Sequence, residues 1–128
     1  MNTIDRSSIT PKPTAIMLRQ APYGKPLANE ALEAVLGYAA FAQDISVFFI
    51  GDGVFQLLQE QDAEKIGQKS LEKRVKALSL YDVKKLYVCQ NSLEKRGLSA
   101  NDLCVDITVV DPDTLSLHLR EQDTLLSF

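Results

Sequence analysis

A chain of 128 residues with 14 basic and 17 acidic side chains, net charge -3, has room for one domain and lacks the basic excess of a nucleic-acid surface. Hydrophobic residues at 45% and charged residues at 24% are ordinary for a soluble globular protein, which excludes a fibrous or largely disordered chain. The longest apolar run, residues 45–50, is far short of the roughly 20 residues that span a bilayer, so no membrane partner is expected.

The first residues, Met1-Asn2-Thr3-Ile4-Asp5-Arg6-Ser7-Ser8, lack the apolar middle of a signal peptide. Two cysteines do not make a disulfide framework. Together these point to a cytoplasmic location with reduced thiols. Residues 1–13 are polar and end in Thr10-Pro11-Lys12-Pro13, which reads as a flexible N-terminal tail ahead of a domain over 14–128.

Ala15-Ile16-Met17-Leu18 is apolar and predicts a first buried strand over 14–18. Pro22, Gly24 and Pro26 punctuate a loop. Asn29 is placed as a helix cap, with Glu30 and Glu33 near the helix start. Leu32, Val35, Leu36 and Ala39 then recur on one helical stripe that ends near Phe41. Residues 45–50 are β-branched and aromatic, and their continuous apolar character predicts a strand buried on both faces of a parallel sheet.

After that strand, Val54 to Leu58 fits a short helix or a packed loop, and residues 59–69 are polar surface. Leu71, Val75 and Leu78 mark a helix over 70–80, whose Lys73, Arg74 and Lys76 read as a solvated face. Residues 85–89 form a third strand ending in Cys89, followed by a short helix from Asn91 to Arg96 that Gly97 closes. A fourth strand spans 107–110. Asp111-Pro112-Asp113 opens a helix with Leu115 and Leu119 inward and Asp123 at its end, and a final strand takes 124–128. Strands alternating with helical crossovers predict a single three-layer α/β/α domain with a five-stranded, mainly parallel sheet.

Several stretches in fixed order then resemble a known family. Phe48-Phe49-Ile50-Gly51-Asp52-Gly53-Val54-Phe55-Gln56-Leu57-Leu58 is similar to the signature of the DsrF/TusC subunit type in the DsrE/DsrF/DsrH family. Leu80-Tyr81-Asp82-Val83, Tyr87-Val88-Cys89 and Ser92-Leu93-Glu94-Lys95-Arg96-Gly97-Leu98 extend the likeness, as does Ala21-Pro22-Tyr23-Gly24. The resemblance implies a cytoplasmic subunit of a heterohexamer built from three related chains, the others TusB-like and TusD-like. Such a complex takes persulfide sulfur from a TusA-like carrier and hands it to a TusE-like one, toward 2-thiolation of the tRNA wobble uridine. A Dsr-type assembly in sulfur oxidation shares the fold and motifs.

Cys89 is the candidate carrier. It ends a parallel strand and begins a helix, a place where ligands collect and where a thiolate is favoured. The residues alone leave a second reading open, a small buried hydrophobe. The resemblance implies that Cys89 falls where the DsrE/TusD-type subunit holds its persulfide. That subunit type has small apolar residues where Gln90-Asn91-Ser92 stand here, which points to a mainly structural, docking role for this chain. Cys104 reads as a packing residue.

A metal site is not expected, because His118 is the only histidine and no paired cysteines accompany it. Asp111 and Asp113 serve the helix start rather than catalysis. Gly51-Asp52-Gly53 lacks the third glycine of a dinucleotide fingerprint, and Tyr23-Gly24-Lys25 is no phosphate loop, so no cofactor is expected. Val54-Phe55-Gln56-Leu57-Leu58 reads first as core packing, with a subunit interface as the alternative; the two combine if Phe55 is exposed while Val54 and Leu57 are buried. The rival reading from another class is a small-ligand-binding α/β domain with no sulfur chemistry.

Overall fold

The structure, a computed structural model, describes residues 13–21, 27–39, 44–58, 72–81, 83 and 85–128. The tail to residue 12, the loop at 22–26, Phe41 and the polar stretch 59–69 lie outside the described residues.

The strands are β1 (Thr14–Leu18), β2 (Ile45–Phe49), β3 (Lys85–Cys89), β4 (Thr108–Val110) and β5 (Thr124–Ser127). Between them run α1 (Leu27–Ala39), a 3-10 helix (Gly51–Leu57), α2 (Glu72–Ala77) passing into a second 3-10 helix (Leu78–Tyr81), α3 (Gln90–Lys95), a 3-10 turn (Ala100–Asp102) and α4 (Pro112–Arg120). The bounds of β1 and β3 match expectation.

Helix α4 ends at Arg120 and not at the expected Asp123, whose N–H bonds the Pro13 carbonyl at 2.8 Å instead of continuing the helix, and α3 lies one residue earlier than expected. Two further helices differ from the sequence reading. Helix α1 begins at Leu27, so Asn29 lies within its first turn and is not the cap. Leu27 and Ala28 are strong helix formers and carry the helix past that signal. The single helix expected over 70–80 is α-helical only to Ala77 and then tightens into the 3-10 helix. The N–H of Val83 closes this tight end on the carbonyl of Leu78 at 2.9 Å.

All sheet pairs are parallel, in the order β4-β3-β2-β1-β5. From β1 to β4 the chain steps one strand at a time in one direction. It then crosses to the far side of β1. Right-handed crossovers therefore put α1, α2 and α3 on one face and α4 on the other.

Register sets the two faces. Ile16 and Leu18 of β1 align with Val47 and Phe49 of β2, which align with Leu86 and Val88 of β3. These join Leu32 and Val35 of α1, Val54 and Leu57, Val75 and Leu78 in one core. Each large side chain fully buried there contributes roughly 1.5–3 kcal/mol. The other face holds Phe48, stacked on Tyr87 with centroids 5.0 Å apart, and His118 of α4, 4.5 Å from Tyr87 and 6.3 Å from Phe48. All five residues of β2 are buried, as its unbroken apolar run predicts.

The 3-10 helix after β2 packs directly on the end of β1. A Cβ on Gly53 would lie 1.9 Å from the carbonyl oxygen of Leu18, so only glycine permits this approach. Gly51 enters the turn at φ +59°, the left-handed region where a side chain is strained. The amide side chain of Gln56, fully buried, donates to the carbonyl of Gln20 at 2.8 Å and ties the chain leaving β1 to this helix.

Candidate functional site

The candidate site is the corner where the chain leaves the carboxyl ends of β2 and β3. Cys89 is the last residue of β3 and the N-cap of α3, with extended backbone at φ -74° and ψ 118°. The residue is only 6% exposed. The thiol thus stands at the expected edge of the sheet, covered rather than open. The reversal of strand order falls between β1 and β5, where the Arg19 N–H donates to the Phe128 carbonyl at 2.8 Å. Cys89 therefore sits at a carboxyl edge but away from the switch point, the usual place for a small ligand.

Helix α3 has six residues and ends as the sequence predicts. The N–H of Gly97, at φ +67°, reaches the Glu94 carbonyl at 3.1 Å, and the N–H of Leu98 reaches the Leu93 carbonyl at 2.9 Å. This double closure is a Schellman motif.

Helix α3 is fastened to the exit of β2 by a polar cluster. The backbone N–H of Gly51 donates to the Ser92 hydroxyl oxygen at 2.9 Å, and Ser92 is buried. Nε and Nη2 of Arg96 both donate to Oδ1 of Asp52, at 3.1 and 2.9 Å. Nη1 of Arg96 donates to the Ser92 carbonyl at 3.1 Å. The same guanidinium lies 5.9 Å from the ring centroid of Phe55, within cation–π range. Asp52 is exposed, Phe55 half-buried, and Gln90 and Asn91 exposed. Val54 and Leu57 are fully buried, so the 3-10 helix divides as expected into an inner apolar face and an outer Phe55.

The remaining candidates fall elsewhere. Cys104 is half-buried against the core, and its N–H donates to the Leu57 carbonyl at 2.6 Å. Neither cysteine is in a disulfide. His118 is half-buried in the ring stack under α4. Asp111 caps α4, its Oδ1 accepting from the Thr114 N–H at 2.7 Å, and these Thr114 bonds hold its carboxyl below the ordinary value. At the opposite edge of the sheet, Lys85 pairs with Asp44 at 2.7 Å, and this bond raises the lysine's pKa. Among the described residues no group of three or more His, Cys, Asp or Glu could hold a metal. Among them, no helix is long and apolar enough to cross a membrane. Tyr23, Gly24 and Lys25 lie outside the described residues.

Arg96, Asp52 and Ser92 are the members of this corner that reading the sequence did not single out. Their signal was indirect. The two strand exits are neighbours only once β2 and β3 are known to pair in parallel.

Comparison with known proteins places this geometry in a family. A model of the DsrE/DsrF-like family matches residues 12–128. The chain is 41% identical over 112 residues to a TusC homolog of Vibrio vulnificus, covering 88% of this chain and 95% of that one. It is 35% identical over 112 residues to a TusC homolog of Aliivibrio fischeri, with the same coverage. In fold it is similar to the ychN protein of E. coli, with a TM-score of 0.79 at 18% identity over 91% of this chain and 99% of that one. A protein of unknown function from Methanobacterium thermoautotrophicum follows at a TM-score of 0.65 and 12% identity, over 91% of this chain and 99% of that one. The chain belongs to the DsrE/DsrF-like family, among its TusC-type members.

Proposed function

We propose that the chain is a docking and structural subunit of a sulfur-relay complex, a heterohexamer with TusB-like and TusD-like sister chains. The complex passes persulfide sulfur from a TusA-like carrier to a TusE-like one for 2-thiolation of the tRNA wobble uridine. The observation that carries this reading is the match to TusC homologs over 95% of their length. The functional unit is the domain over 14–128, and the segment before it is an appended tail. The complex works in the cytoplasm, where thiols stay reduced.

The state of Cys89 supports a structural role over obligatory carriage. Sulfur transfer needs a thiolate to attack the terminal sulfur of a donor persulfide. The donor's S–S bond breaks as the new one forms, and the donor leaves as thiolate, with no net oxidation. A residue only 6% exposed offers little surface to such an attack. A carrier role at Cys89 therefore requires that the surroundings of the β3 end open on docking.

The test is to coexpress the chain with two related sister subunits from one genome and isolate the assembly through a tag on this chain. Equal amounts of three chains are expected. The assembly is then loaded from a persulfide donor and each chain weighed. Transfer that survives Cys89→Ser establishes the structural role. Transfer that fails in that variant, with one added sulfur on Cys89 of the parent chain, replaces it with the carrier role. A chain that stays a monomer beside its sisters ends the relay reading.

A further inference from the structure

We infer that the α4 side of the sheet is the seat of a sister subunit, and that this partner presents lysine or arginine side chains around an aliphatic anchor. The identity of the partner rests on the relay reading. The face itself is a property of this chain.

An all-parallel sheet has both faces covered. On the α4 side the cover is incomplete. Among the described residues α4 is the only helix there, and none of its residues is buried. Its nine residues make a rod about 14 Å long and about 10 Å wide. Five strands about 4.8 Å apart present a face roughly 20 Å across. His118 sets α4 against Tyr87 of β3 and Phe48 of β2, which leaves β5 open. Leu126 pairs with Ile16 and packs against the core, so Leu125 points to the α4 side, where it is 51% exposed. Leu117, next to His118 on α4, is 58% exposed. Single exposed leucines are ordinary, but two on a half-covered sheet face mark a surface that another chain completes. Permanent subunit contacts are the apolar kind that such a face suits.

Charge identifies the partner's chemistry. Asp111, Asp113, Glu121 and Asp123, on and beside α4, are exposed, with Arg120 the only base among them. These five carry the whole net charge of -3, since acidic and basic side chains balance over the rest of the chain. Asp111 and Asp113 serve the start of α4. Glu121 and Asp123 stand at its end, where the helix dipole disfavours an acid, so they do not serve the helix. An acidic rim repels nucleic-acid phosphates and anionic lipid, and it attracts a basic protein face.

The test labels the isolated full chain and the three-chain assembly with hydroxyl radicals, read by peptide mass spectrometry. Leu117 and Leu125 are expected to label at least about fivefold less in the assembly. Glu121→Lys combined with Asp123→Lys is expected to slow association with the coexpressed sister pair roughly tenfold at low ionic strength, a difference that added salt removes. Should that variant fail to fold by circular dichroism, Glu121→Gln decides, with a slowing of about twofold expected. Protection of both leucines together with the charge effect establishes the interface. An assembly whose leucines label as in the isolated chain, or a charge variant that associates like the parent, overturns it and leaves the relay reading standing. Leucines already protected in the isolated chain also overturn it. Protection that persists on dilution names a segment of this chain as the cover, and protection lost on dilution names a second copy. A chain that stays alone beside its sisters ends the relay reading and this interface with it.

Discussion

Adding one methyl group at Gly53 and one at Gly37 should move stability in opposite directions. At Gly53 the new Cβ would stand 1.9 Å from the Leu18 carbonyl oxygen and 2.6 Å from its carbon. Both are backbone atoms of a central strand, so no flexible side chain can swing aside. Either the 3-10 helix lifts off β1 or β1 shifts in the sheet. Lifting the helix withdraws Val54 and Leu57 from the core and pulls Gln56 from Gln20. Overpacking of a core costs about 1–3 kcal/mol, and partial exposure of two apolar side chains adds to it. Gly53→Ala should therefore cost about 3–4 kcal/mol. In a domain of this size that lowers Tm by roughly 10 °C or more. At Gly37, within α1, the added Cβ meets nothing within 4 Å. Gly37→Ala should stabilise by about 0.5–1 kcal/mol through helix propensity. Urea unfolding of the two variants, followed by far-UV circular dichroism at two protein concentrations, reads both effects and exposes any contribution from association. A Gly53→Ala variant within 1 kcal/mol of the parent would refute the claim that the 3-10 helix is pinned to β1.

Three further outcomes separate packing from function and test the charge at α4. Phe48→Ala, at a fully buried ring, should cost about 3–5 kcal/mol. Phe55→Ala, at a half-buried one, should leave the isolated chain within about 1.5 kcal/mol of the parent yet reduce copurification of sister subunits, as scored by tag pull-down. Asp111 is held below its ordinary carboxylate value by bonds from Thr114. Its stabilising effect is thus full above the unfolded-state pKa and is lost as pH falls through the lower folded-state value. Thermal scans of Asp111→Ala should lie below the parent at pH 7 and converge with it near pH 2.

What the sequence reveals follows the range of each interaction. Strands β1 and β3 were legible to the residue because short apolar runs bounded by polar residues have few alternatives. The close of α3 was legible because Gly97 alone supplies the positive φ that its ending needs. The start of α1 was not, since Leu27 and Ala28 favour helix as strongly as Asn29 favours a cap. The 3-10 turn Ala100–Asp102 passed unseen because three residues carry no period. Its ends are held by Ser99 and Asp102, whose side chains and backbone bond each other. Cys89 was legible as the last residue of β3, but its burial was not, since that depends on what packs over the strand end once the sheet has formed. The contact of Arg96 with Asp52 was equally hidden, because these distant residues meet only after β2 and β3 have paired.

The place of β1 in the sheet carries a consequence for biogenesis. Its one edge is filled by β2, nearby in sequence, while the other waits for β5, whose Thr124 pairs with Thr14. During synthesis the strands from β1 to β4 can assemble by successive local crossovers. The pairing with β5 is the slow, long-range step. Until it forms, Thr14 to Leu18 present an apolar strand with open hydrogen-bonding groups, a template for joining other chains. A ribosome stalled between β4 and β5 would therefore expose, as an open edge, a strand that is interior in the finished sheet.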